Sequence, residues 1–192
     1  MKVIEHPKFV VGIGGSAGAL PAYKALLDAL PSDTALAFVI ISNMSPSAHS
    51  QLAIILSRHT KMPVLVASNK MPIRRNHVYV IPSDADLFIE KDTFVVISPR
   101  AYGLNQIDVF YTSLAEAMGA RAIGVVLSGY MGGATKGCQQ IKEKGGITFA
   151  QDESAEVPHM PLSAEASGGV DFVMHPGKIA GKLKKLAAAF KA

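Results

Sequence analysis

The stretch FVVGIGGSAGAL, residues 9–20, decides how the rest of the chain is read. An apolar, β-branched run enters a glycine-rich bend, and a helix with apolar residues at helical spacing follows over residues 21–30. Strand, tight turn and helix in that order form the first unit of a parallel α/β sheet. The bend fits two chemistries. Gly12, Gly14 and Ala17 match G-x-G-x-x-A, a dinucleotide fingerprint, but the acidic residue that should hold the ribose is missing after the second strand, where Ser42 and Asn43 stand. Gly14, Ser16 and Gly18 match G-x-S-x-G, which displays a serine hydroxyl at a strand-to-helix turn. A third reading gives Ser16 only the work of capping the helix that begins near Leu20.

Outward from that unit the segments alternate. ALAFVIIS (35–42), MPVLVAS (62–68), AIGVVLSG (122–129) and ITFAQD (147–152) read as apolar strands. Helices are expected over 47–60, over 109–120 with Asp108 as cap, and over 137–146. NHVYVIP (76–82), DLFIEK (86–91) and TFVVIS (93–98) break the rhythm and read as a hairpin-like element at an edge. A short strand over 170–175 and a lysine-rich helix close the chain. Near-continuous apolar strands predict a doubly wound, mostly parallel sheet with helices on both faces and a small antiparallel hairpin. The 192 residues are expected to form one domain, the last ~15 a lysine-rich C-terminal helix or linker.

Composition excludes several classes. No apolar run reaches the roughly 18 residues of a membrane span, and no signal peptide is read, so the cytoplasm is the expected location. The one cysteine, Cys138, allows no internal disulfide and no cysteine-rich zinc site. The net charge of +4 gathers on Lys178, Lys182, Lys184, Lys185 and Lys191, with Arg74 and Arg75 in a loop. That pattern suits a solvated helix face or linker rather than a nucleic-acid surface. Arg58 and Lys61 suit either an acidic partner or an ordinary helix end.

Ligands of doubly wound sheets bind at the carboxyl ends of the strands. Four loops fall there: GGSAGALP, NMSPSAHS, GYMGGATKG and QDESAEVPHMP. Taken in order, with IISNMSPSAHSQLAIILSRHTKMPV, NHVYVIPSDADL, QIDVFYTSLAEAMGARAIGVVLSG and GCQQIKEKGGITFAQDESAEVPHMPLSAEASGGVDFV, they resemble the catalytic domain of CheB, the chemotaxis protein-glutamate methylesterase. The form fused to a CheR methyltransferase is the most similar. The resemblance covers nearly the whole chain and implies the fold already read. It also implies hydrolysis of glutamyl methyl esters on chemoreceptor helices, with methylated receptor-like segments or another signalling protein as partners and no cofactor. The receiver domain that normally blocks the family's active site is missing, so the chain reads as stand-alone or as a piece of a fusion.

The resemblance implies a serine, a histidine and an aspartate in a triad, and here the pattern breaks. Ser16 keeps the nucleophile position. Asn43 stands where the family has histidine, and Gly133 where it has aspartate. Gly15, Ala17, Gly18, Gly129, Tyr130 and Met131 fall on the pocket and its oxyanion-binding backbone. An amide cannot accept a proton at neutral pH, and glycine offers no carboxylate. In triad hydrolases losing the base lowers kcat by about 10⁶, roughly 8 kcal/mol of transition-state stabilisation. The chain is therefore expected to be catalytically impaired and to act as a binding or regulatory module. The alternative is an active serine esterase with a relocated base, His159 or His49, with Asp152 or Glu153 orienting His159. His77 and His59 are expected to be structural, His6 and His175 to lie at the surface, and no cluster has metal-ligand spacing.

Overall fold

The computed structural model describes residues 5–42, 49–101, 103–130 and 133–189, the side chains of 49 and 50 excepted. Seven of its strands are β1 (Val10–Gly15), β2 (Ala37–Ser42), β3 (Val64–Val66), β4 (His77–Val80), β7 (Ala122–Val126), β8 (Ile147–Gln151) and β9 (Phe172–Met174). They form one parallel sheet in the order β3-β4-β2-β1-β7-β8-β9. β5 (Asp86–Glu90) and β6 (Thr93–Ile97) pair antiparallel as a separate hairpin. β1, β2 and β7 are buried at every position, as their unbroken apolar sequences require.

Two cores flank the sheet. On one face α1 (Leu20–Asp28), α2 (His49–Leu56) and α6 (Pro176–Ala189) bring Leu26, Leu27, Leu52, Ile179 and Leu183 against Val11 and Ile13 of β1. On the other lie the hairpin, α3 (Gln106–Met118), α4 (Thr135–Glu143) and α5 (His159–Ala166), with Phe110, Tyr111, Leu114, Cys138 and Ile141. Gly12 and Gly14 of β1 face this second core. A Cβ at Gly12 would lie 2.8 Å from Tyr111 Cε1, and one at Gly14 2.6 Å from Ile107 Cγ2. Close approach of α3 thus accounts for the G-x-G pattern that resembles a nucleotide fingerprint. The Tyr111 hydroxyl reaches between β1 and β7: it donates to Val125 O at 2.6 Å and accepts from Gly14 N at 2.9 Å.

Three sequence expectations change. β4 is an inner strand of the parallel sheet, its Val78, Tyr79 and Val80 fully buried, so only β5 and β6 make the hairpin. No helix separates β3 from β4, which removes the rhythm that marks a parallel pair. α3 begins earlier than expected, and Asn105 rather than Asp108 caps it, accepting from Ile107 N and Asp108 N. Asp108 instead accepts from Gly137 N of α4 at 2.7 Å. α5 occupies a stretch read as loop, because Pro158 and Pro161 disguise its start. Prolines are tolerated there because first-turn N–H groups have no intrahelical partner.

Asp171 ties α4, β8 and β9 together. Its Oδ2 accepts from Thr148 N and Oγ1 at 2.9 and 3.0 Å, and Lys142 Nζ lies 3.2 Å from Oδ1. Partial burial pushes the carboxyl up, but these bonds and Lys142 outweigh it and hold it below the usual aspartate value. A depressed carboxyl gives stability that is complete above its unfolded pKa, about 3.9, and is lost as pH falls through the folded value. Asp171→Asn should therefore melt below the native chain at pH 7, with the gap closing below about pH 4. Thermal melts across pH check this, and a gap that stays constant contradicts it.

Candidate active site

The chain leaves β1 toward β2 on one side and later adds β7 on the other, so the topological switch point lies between β1 and β7. In such sheets this crevice is the ligand site. Ser16 stands at its mouth, directly after β1. Its N–H donates to Ser128 O at 2.9 Å, continuing the ladder in which Leu127 N donates to Gly14 O at 2.8 Å. Its hydroxyl faces Gly129, where a Cβ would lie 2.7 Å from Ser16 Oγ and 2.7 Å from Met160 Cε. Glycine at 129 is what lets the β7 loop approach the serine.

The turn closes through Ala19 N donating to Ser16 O at 3.1 Å. α1 has Ala19 as its N-cap and no side-chain cap bond, which overturns the reading of Ser16 as a helix cap. Gly18 has φ of 69°, the left-handed region, and a Cβ there would meet Ser128 Oγ at 2.8 Å and Glu156 Cβ at 2.9 Å. Gly15 packs against Ala19 and the Tyr23 phenol. Burial pushes that phenol above its ordinary pKa, with the nearby Ser42 hydroxyl pulling the other way.

Ser128 joins three loops. Its Oγ donates to Ala17 O and accepts from Val157 N, both at 2.9 Å, and its N–H donates to Gln151 Oε1 at 2.9 Å. Gly129 N donates to Val157 O, and Met160 N to Gly129 O. The serine turn, the β7 loop and the start of α5 are therefore one hydrogen-bonded unit.

The positions at which a base and its orienting carboxylate are expected sit differently. Asn43 and Met131 lie outside the described residues, and His49 opens α2 with its side chain outside them. Gly133, just before α4, packs against the N-cap of α3: a Cβ there would lie 2.5 Å from Asn105 Nδ2 and 3.2 Å from its Oδ1. The room for a side chain at 133 is taken by the amide that caps α3. Nearby, Asp108 is pushed up by burial, against the pull of the Gly137 N–H and Lys136.

Tyr130, 63% exposed, stacks on the exposed ring of His159, with centroids 6.2 Å apart. This pair stands beside the unit that holds Ser16, since His159 precedes Met160. Asp152 is engaged elsewhere, accepting from Ser154 Oγ at 2.6 Å. Among the other histidines, His59 Nδ1 meets Asp28 Oδ1 at 3.0 Å and His77 Nδ1 donates to Arg75 O at 2.8 Å. His6 and His175 are exposed. Among the described residues no group of three His, Cys, Asp or Glu could hold a metal ion, and no helix is long and apolar enough to cross a membrane.

Sequence reading missed Ser128, Asn105 and Glu156. Asn105 carried a signal, an asparagine just before a helical run with an acid three residues on. Ser128 and Glu156 carried none, because their neighbours come from distant loops.

By fold the chain is a doubly wound α/β protein bearing the strand–serine–helix turn of serine esterases. It belongs to the CheB methylesterase family, whose model matches residues 11–183. The chain superposes on the crystal structure of the Thermotoga maritima CheB methylesterase catalytic domain with a TM-score of 0.86 and 26% identity, covering 93% of this chain and 98% of that one. It is 33% identical over 172 residues to a Leptospira interrogans protein provisionally named protein-glutamate methylesterase/protein-glutamine glutaminase, covering 88% of this chain and 89% of the relative. A Hydrogenovibrio crunogenus protein-glutamate methylesterase/protein-glutamine glutaminase is 32% identical over 184 residues, 92% of this chain but 49% of its own length.

Proposed function

We infer that this methylesterase-family chain is catalytically impaired and works in chemotaxis-type signalling as a binding or regulatory module. Its serine cleft takes methylated receptor-like segments or a segment of another signalling protein. Ser16 holds the nucleophile position and Ala17 follows it; Asn43 and Gly133 occupy the places of the base and its orienting carboxylate. The observation that carries this reading is at Gly133, where the Asn105 amide fills the space an aspartate would need. A pocket that has merely lost a side chain keeps a void; this one is packed. Without its base, a triad serine loses about 10⁶ in kcat.

The test is methanol release from a glutamyl methyl ester peptide. Turnover at or below that of the Ser16→Ala variant is expected, and turnover at ordinary enzymatic rates, about 1 s⁻¹ or more, overturns the reading.

The stacking of His159 on Tyr130, next to the unit that holds Ser16, favours a second reading, an active esterase with His159 as base. His49, opening α2, is the other candidate for that role. Should turnover be found, His159→Ala abolishes it under this reading, and unchanged turnover removes His159 as base.

A further inference from the structure

Between residues 145 and 177 the chain carries five carboxylates, Asp152, Glu153, Glu156, Glu165 and Asp171, and no lysine or arginine, although its net charge is +4. Two of the five are engaged within the fold: Asp171 by Thr148 and Lys142, Asp152 by Ser154. Glu153, Glu156 and Glu165 are exposed, and among the described residues none has an ion-pair partner.

The end of β8, β9 and α5 form an open groove of about 350 Å³. Its apolar surface comes from Ala155, Pro161, Leu162 and Val173. Leu162 is 56% and Val173 42% exposed, two large apolar side chains facing one groove. Glu153 and Glu165 line the groove. Glu156 stands between it and the serine turn, packed against Gly18. The Ser128 hydroxyl bonds Val157 on one side and Ala17 on the other, so groove and serine turn are parts of one surface.

We propose that this groove docks a peptide segment of a partner protein in which a leucine-sized side chain is flanked by lysine or arginine. Leu162 and Val173 bury the apolar side chain, at roughly 25 cal/mol per Å² removed from water. Glu153 and Glu165 face the flanking cations, and Glu156 carries the negative field on to the serine turn. An acidic segment or a nucleic-acid backbone meets like charges at Glu153 and Glu165. Complementary charge of this kind acts mostly through selection of partner and rate of encounter. The proposal does not depend on whether Ser16 reacts, so a failed esterase test leaves it standing.

Two fluorescein-labelled peptides test it, one alternating leucine with lysine and one alternating leucine with glutamate, titrated by anisotropy against the whole chain. The lysine peptide is expected to bind at least tenfold tighter, and the difference should vanish near 1 M salt, where the Debye length is about 3 Å. Glu153→Lys with Glu165→Lys should reverse the preference, and the milder pair Glu153→Gln with Glu165→Gln should abolish it. Glu116→Lys, on exposed α3 surface, should leave it unchanged. Leu162→Ser should weaken the lysine peptide without changing its salt dependence. Equal binding of both peptides, binding of neither, a preference that survives charge reversal, or a groove closed by self-association in sedimentation each overturns the proposal.

Discussion

Asn43→His, Gly133→Asp and Asn105→Ser together are expected to raise hydrolysis of a glutamyl methyl ester about 10²–10⁴-fold, the range a positioned general base contributes. On the proposed reading the first two changes supply a proton acceptor and a carboxylate to orient it. The third makes room. An aspartate Cβ at 133 would lie 2.5 Å from Asn105 Nδ2, and that amide is not free to swing away, because its Oδ1 caps α3 through Ile107 N and Asp108 N. Losing such a cap costs about 1 kcal/mol, whereas serine is also a good N-cap and is shorter. The double change without Asn105→Ser should therefore gain less than tenfold. A triple variant no faster than the native chain contradicts this, and would mean that the serine turn itself no longer presents its backbone donors to an oxyanion.

The second large effect is on stability. Tyr111→Ala should destabilise the chain by about 3–5 kcal/mol, the usual loss for a large buried aromatic. That is a major share of the 5–15 kcal/mol holding a typical domain folded. The ring is fully buried and fills the space left by Gly12, Gly14, Gly124 and Gly137, none of which can supply a side chain to close the cavity. Its hydroxyl also serves Gly14 N, Gly12 O, Val125 N and Val125 O in the strands flanking the switch point. Tyr111→Phe keeps the ring and removes only those bonds, so a loss of roughly 1–2 kcal/mol is expected. Denaturant melts measure both, and an alanine variant within 1 kcal/mol of the native chain contradicts the packing account.

The fold was legible where residues are buried on both sides. The runs VVGIG, AFVII and AIGVV announce inner parallel strands because nothing polar interrupts them. It was least legible where a connection departs from the usual pattern. β4 follows β3 with no helix between and so mimics a hairpin strand, and α5 hides behind Pro158 and Pro161. The site divided in the same way. The placement of Ser16 follows from local sequence, strand then glycine turn then helix. The filling of Gly133 by Asn105, the clamp of Ser128 on Ala17 and Val157, and the seat of Glu156 on Gly18 are contacts between loops far apart in the chain. No periodicity or spacing encodes them.

Whether Ser16 is an activated nucleophile is tested most directly by a phosphonofluoridate probe with intact-mass readout. The native chain is predicted to stay at its unlabelled mass while the Asn43→His/Gly133→Asp/Asn105→Ser variant takes up one equivalent at Ser16. Stoichiometric labelling of native Ser16 on the timescale of the restored variant would contradict the loss of its base.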